Sequence, residues 1–159
     1  MKSLKFFLFM GLISAPGLFV GCSKDKADSP DSDDNKIKTA KFTVTVSGAT
    51  SGSIISVGAS GNNTAGELGI WKVNGEDRGD EAIIALNADD FTGSTQTYVL
   101  EITKPVFRIG INLTGDLIDD AAPYKISYKA EINNKVVKDD PNVTVDQTHD
   151  YLHTYMYDQ

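Results

Sequence analysis
Hydrophobic and polar positions alternate along most of the chain. Phe42, Val44 and Val46 alternate with Thr43 and Thr45, and Tyr98, Leu100 and Ile102 with Thr97 and Glu101. Phe107, Ile109, Ile111 and Leu113 do the same with Arg108, Gly110 and Asn112. Tyr124, Ile126, Tyr128, Ala130 and Ile132 continue the pattern. A period of two puts one face of each segment in a core and the other in water, which predicts antiparallel strands. Shorter strands are expected over 53–59, 68–73, 82–86, 135–138 and 151–157. Asn74-Gly75 and Asn133-Asn134 supply the positive φ angles of tight hairpin turns. Lys104-Pro105 breaks the run between two strands, because proline lacks a ladder donor. No window of helical length repeats at 3.6. About eight or nine short strands with regularly spaced turns predict an all-β, antiparallel β-sandwich rather than a small barrel.

The first residues follow another rule. Lys2 and Lys5 precede an apolar run from Phe6 to Val20. At about 15 residues it is shorter than the ~20 needed to span a bilayer and fits the apolar region of a signal peptide. The run ends Leu18-Phe19-Val20-Gly21-Cys22, and Cys22 is the one cysteine of the chain. This sequence resembles the lipobox of bacterial lipoproteins. The resemblance implies that residues 1–21 are a cleaved signal peptide and that Cys22 carries a diacylglycerol as a thioether. A small residue before the thiol gives the peptidase access to the bond. Two or more acyl chains anchor a protein stably, at about 0.8 kcal/mol per buried methylene. Residues 22–35 then form the lipidated Cys22 and an acidic tether without aromatic or β-branched side chains, too polar to offset its ordering entropy. It is similar to the export tethers of surface lipoproteins in some Gram-negative bacteria. The resemblance implies an outer-membrane protein, anchored by lipid and displayed at the surface, with a periplasm-facing anchor as the alternative.

Residues 36–159 remain for the sandwich. Asp120-x-Ala122-x-Tyr124-x-Ile126 resembles the tyrosine corner of immunoglobulin domains, with Ile126 where a cysteine stands there. Trp71 is similar to the tryptophan packed between their sheets. The resemblance implies an immunoglobulin-like topology without a disulfide.

Composition narrows the function. The chain has 159 residues and a formal charge of −7, which opposes a phosphate-binding face and hence a nucleic-acid partner. A single cysteine excludes a disulfide framework and a cysteine-built zinc site. There is no Gly-rich phosphate loop and no Gly-x-Ser-x-Gly elbow, so no catalytic residue and no cofactor is expected. His149 and His153 would share one face of a helix at metal-clamp spacing. The aromatic residues around them favour a strand, where the rings stand ~13 Å apart, too far for one ion. Carboxylates cluster at Glu76-Asp77, Asp80-Glu81, Asp89-Asp90, Asp119-Asp120 and Asp139-Asp140 without the spacing of a known calcium loop; solvated turns and no metal are expected. Arg78-Gly79-Asp80 spells a tripeptide some adhesins use, built from common loop residues.

The terminal strand is the candidate binding element. Tyr151, His153, Tyr155 and Tyr157 share one face, and Leu152, Thr154 and Met156 the other. With Leu152 and Met156 inward, the tyrosines make an outward platform for the apolar faces of sugars or for a protein. With the tyrosines inward, no such platform exists. The sequence thus points to a non-enzymatic, lipid-anchored module for a glycan or protein partner. A structural or accessory subunit of an outer-membrane complex is the alternative, and a small envelope hydrolase or hydrolase inhibitor a weaker one.

Overall fold
The computed structural model describes residues 36–63 and 65–158. The lipobox, Cys22 and the tether lie outside the described residues. Ten strands are present among those described. The first five are β1 (Ala40–Ser47), β2 (Ser53–Asn62), β3 (Trp71–Val73), β4 (Glu76–Asp77) and β5 (Ile83–Asn87). One 3-10 turn, Ala88–Phe91, follows. Then come β6 (Thr95–Ile102), β7 (Arg108–Leu117), β8 (Tyr124–Ile132), β9 (Lys135–Val145) and β10 (Tyr151–Asp158).

The strands form a six-stranded sheet in the order β4-β3-β6-β1-β8-β9 and a four-stranded sheet in the order β10-β7-β2-β5. Every pairing is antiparallel. The alternation read from the sequence is the packing rule. Phe42, Val44 and Val46 of β1 and Tyr124, Ile126, Tyr128, Ala130 and Ile132 of β8 face inward from the larger sheet. Ile55, Val57 and Ala59 of β2 and Ile109, Ile111 and Leu113 of β7 meet them from the smaller one. Each buried Val, Leu, Ile or Phe among them contributes about 1.5–3 kcal/mol by leaving water. The fold is therefore an all-β sandwich.

The turns use the expected chemistry. Asn74 (φ 51°) and Gly75 (φ 83°) join β3 to β4, and Asn133 (φ 47°) and Asn134 (φ 62°) join β8 to β9. The second turn also fastens the start of the domain, since Asn133 Oδ1 accepts the backbone N–H groups of Lys38 (2.8 Å) and Thr39 (3.2 Å). Asn87 caps the 3-10 turn by accepting from the Asp89 N–H at 2.8 Å, while Asp90 accepts from the Asn87 N–H at 2.8 Å.

Two strands differ from expectation. Of 68–73, only Trp71–Val73 pairs, because Gly69 is left-handed at φ 67° and turns the preceding chain aside. The strand expected over 135–138 runs on to Val145. Asp139-Asp140-Pro141-Asn142 reads as a turn, but β9 is an edge strand that needs partners on one side only. Its ladder shifts register twice and takes Asn142 at φ 52°. Proline and bulges are admissible there and not in a central strand.

Trp71 is fully buried and lies 6.3 Å from Phe42, ring centroid to centroid. It reaches the opposite sheet at Gly61, where an added Cβ would stand 2.6 Å from Ile70 Cδ1 and 3.4 Å from Trp71 Cζ2. Trp71 Nε1 is the one buried side-chain polar atom lacking a hydrogen-bond partner among the described residues. The local bond of a tyrosine corner is not formed. Tyr124 is buried, but its hydroxyl donates across the sandwich to the Ile54 carbonyl of β2 at 3.1 Å instead of to nearby backbone.

Ile126→Ala, which hollows the centre of the core, is expected to cost about 2–5 kcal/mol in urea denaturation. Gly75→Ala, where an added Cβ meets nothing within 4 Å, is expected to cost about 1 kcal/mol from the positive φ alone.

Candidate binding surface
β10 closes one side of the smaller sheet and pairs with β7 along its whole length. Tyr151, His153, Tyr155 and Tyr157 stand opposite Gly115, Leu113, Ile111 and Ile109, and Leu152 and Met156 opposite Thr114 and Gly110. The odd-numbered positions of β7 face the core, so the three tyrosines and His153 lie on the inner side of β10. Tyr151 is buried, Tyr155 and Tyr157 are half-buried against the core, and His153 is exposed at the open seam. Leu152 and Met156 point out, 55% and 56% exposed. An outward tyrosine platform is therefore not formed. Rings of this size bury more area than Leu and Met, and their hydroxyls find partners inside.

Those partners come from β9, the edge strand of the other sheet, and from β8. Tyr151 Oη donates to Asp140 Oδ2 at 2.8 Å, and Tyr155 Oη donates to the same oxygen at 3.1 Å. Lys138 Nζ lies 2.8 Å from Asp140 Oδ1 and 5.8 Å from the Tyr155 ring centroid. The hydroxyls of Tyr128 and Tyr157 are 3.0 Å apart. The ring of Tyr155 stacks on Tyr128 at 5.0 Å, on His153 at 5.5 Å and on Tyr157 at 6.3 Å. Their flat faces are turned on one another.

The electrostatics fit a clamp. Burial pushes the phenols of Tyr128, Tyr151, Tyr155 and Tyr157 up, so all are protonated donors at neutral pH. Burial pushes Asp140 up as well, but hydrogen bonds from Lys138, Tyr151 and Tyr155 outweigh it and hold its carboxyl below the usual range. One anion thus collects two phenols and an ammonium and ties β9 to β10 across the gap between the sheets. Asp140, Lys138 and Tyr128 did not stand out in the sequence as partners of the terminal tyrosines. The bulges of β9 hide its phase, and Asp139-Asp140-Pro141-Asn142 looks like a turn.

His149 lies in the turn before β10, not in the strand. Its Nδ1 is 2.7 Å from Thr148 Oγ1 and 3.2 Å from Asp146 Oδ1. Hydrogen bonds from the side chain and backbone of Thr148, and from His149, hold the Asp146 carboxyl at about 2. These groups close the turn. Among the described residues no group of three or more His, Cys, Asp or Glu is placed to hold a metal ion. Arg78 is committed to Glu81, with both contacts at 3.1 Å, so the adhesin-like tripeptide does not present a free guanidinium.

The outer face of the smaller sheet is uncharged across its middle. Ser56, Gly58 and Ser60 of β2 stand beside Thr114, Asn112 and Gly110 of β7, and these beside Leu152, Thr154 and Met156 of β10. Met156 Sδ lies over Gly110, 3.3 Å from where its Cβ would be. Ile54 and Ile83 are exposed on the same face. Of the four sheet edges, β4 has two residues, β5 has five, and β9 carries Pro141 and two register shifts. β10 has eight residues, no proline, no lysine and an unshifted ladder. Proteins usually blunt edges of that kind.

No protein-family model matches this chain, and no curated protein does. Solved structures share its fold. A domain of unknown function, DUF4425, from Bacteroides vulgatus is 17% identical with a TM-score of 0.56, over 79% of this chain and 96% of that one. A DUF4425 family protein from Bacteroides ovatus is 20% identical with a TM-score of 0.52, over 76% and 94%. At this identity the likeness concerns the fold alone.

Because the folded value of Asp140 lies below the unfolded one, the stabilisation it brings is complete above the ordinary carboxylate range. It is lost as pH falls through the depressed value. Urea midpoints measured from about pH 6 down to about pH 3 should therefore fall more steeply for the native chain than for Asp140→Asn. Equal slopes would remove the clamp.

Proposed function
We propose that the protein is a non-enzymatic lipoprotein, fixed to the outer membrane through Cys22 and displayed on its acidic tether, whose sandwich binds a protein partner through β10. The lipobox Leu18-Phe19-Val20-Gly21-Cys22 supports the anchor. Its acidic body is repelled by anionic lipid headgroups, so the tether holds the domain off the membrane. The observation that carries the binding role is the exposure of Leu152 and Met156 on an unblunted edge strand, beside an uncharged sheet face. Apolar side chains at the centre of a patch with a polar surround are the usual anchors of a protein interface.

A protein suits this strand better than a glycan does. Sugar rings stack on open aromatic faces, and the rings of Tyr155, Tyr157 and His153 spend theirs on each other. The accessory-subunit reading is one form of the same role, with the partner a permanent neighbour in the envelope.

Cys22→Ala is expected to abolish incorporation of labelled palmitate and to release the chain from membranes. In intact cells bearing the anchored chain, crosslinking from position 154 should trap a protein in the native background, and Leu152→Lys with Met156→Lys should remove that product while the domain stays folded. An unlabelled Cys22, or a crosslinked product indifferent to both lysines, would sink the respective half.

A further inference from the structure
We infer that the partner of β10 is a second copy of this chain, paired strand to strand so that two four-stranded sheets become one of eight. This rests on the binding role proposed for β10 and names what fills it.

The hydrogen-bond phase comes first. Ile118 N–H donates to the Gly52 carbonyl at 3.0 Å, in register with the β2–β7 ladder. Even-numbered residues of β7 therefore bond to β2, and in an antiparallel sheet the odd-numbered ones bond to the strand on the other side. That strand is β10, where Gly115, Leu113, Ile111 and Ile109 meet Tyr151, His153, Tyr155 and Tyr157. The N–H and C=O groups of Leu152, Thr154 and Met156 point the other way, to the open edge. The residues with outward-facing backbone are also the ones with outward-facing side chains.

Two such edges brought together antiparallel must match these residues to each other. With Thr154 on the two-fold axis, Thr154 faces its own copy and Leu152 faces the second copy's Met156. Shifting the axis to His153 sets Leu152 against Thr154, and shifting it to Tyr155 sets Leu152 against Asp158. Only the Thr154-centred register pairs both exposed apolar side chains with each other. On the inner side it sets His153 against the second copy's Tyr155 and Tyr151 against Tyr157. Apolar, hydroxyl and aromatic cross-strand pairs of these kinds each favour association. At the two ends Asp158 approaches the second copy's Asp150, and Arg108, 3.6 Å from Asp158 on β7, supplies the opposite charge. A self-complementary patch of this sort is what a two-fold interface requires. Pairing also removes the one long unprotected edge of the fold.

The test is sedimentation equilibrium of the full chain in detergent, with oxidative crosslinking of Thr154→Cys beside it. The native chain should sediment at twice its monomer mass. Leu152→Lys with Met156→Lys should raise the dissociation constant at least about tenfold, with unchanged near-ultraviolet circular dichroism. Thr154→Cys should form a disulfide dimer well above the background of the chain carrying Cys22 alone and above Thr97→Cys on the larger sheet. A native chain that stays monomeric, a dimer untouched by the two lysines, or crosslinking at 154 no greater than at 97 overturns the inference. A monomeric chain that still crosslinks to another envelope protein through residue 154 overturns the second copy and leaves the binding role standing. Monomer with no crosslink at all removes both.

Discussion

A β-strand has two faces, and the terminal strand carries apolar side chains on both. Only one set can be buried. The tyrosines win because their rings fill the open side of the sandwich and because Asp140 waits across the gap to accept two of their hydroxyls. Without an acceptor there, burying the phenols would leave polar groups unsatisfied, at about 1–3 kcal/mol each. The placement of one carboxylate on an irregular edge strand thus decides which side chains β10 shows to solvent.

The same choice links the interior to the surface. Tyr128 from β8, the neighbour of the edge strand in the larger sheet, stacks on Tyr155 and shares a hydroxyl contact with Tyr157, so β10 is held through its inner side by both β8 and β9. A strand gripped on one face and bonded along one edge keeps its other edge straight. A partner strand of the kind proposed above would meet a template already ordered by these contacts, which lowers the entropic cost of docking.

Much of the fold was legible in the sequence because the pleat makes period two visible. Strands β1, β2, β5, β6, β7, β8 and β10 follow from alternation, and both Asn-containing hairpin turns follow from the need for positive φ. The length of β9 was hidden by its bulges, and Leu68-Gly69-Ile70 resembled a strand until a left-handed glycine turned it. The site was less legible for a different reason. Alternation says that Tyr151, His153, Tyr155 and Tyr157 share a face, but not which face is inside. That depended on Asp140 and Lys138, close in sequence yet opposite in space, and on Tyr128 some two dozen residues upstream.

Trp71 is the sole tryptophan of the chain and is wholly enclosed, with an indole N–H that meets no acceptor. Its fluorescence should accordingly be blue-shifted in the native protein and move to the red on unfolding. It sits on β3, in the sheet that does not contain β10. Phe42 lies between it and Tyr157 of β10, 6.3 Å from the one ring and 5.6 Å from the other, so its emission reports the integrity of the sandwich from within the same aromatic cluster that holds the terminal strand.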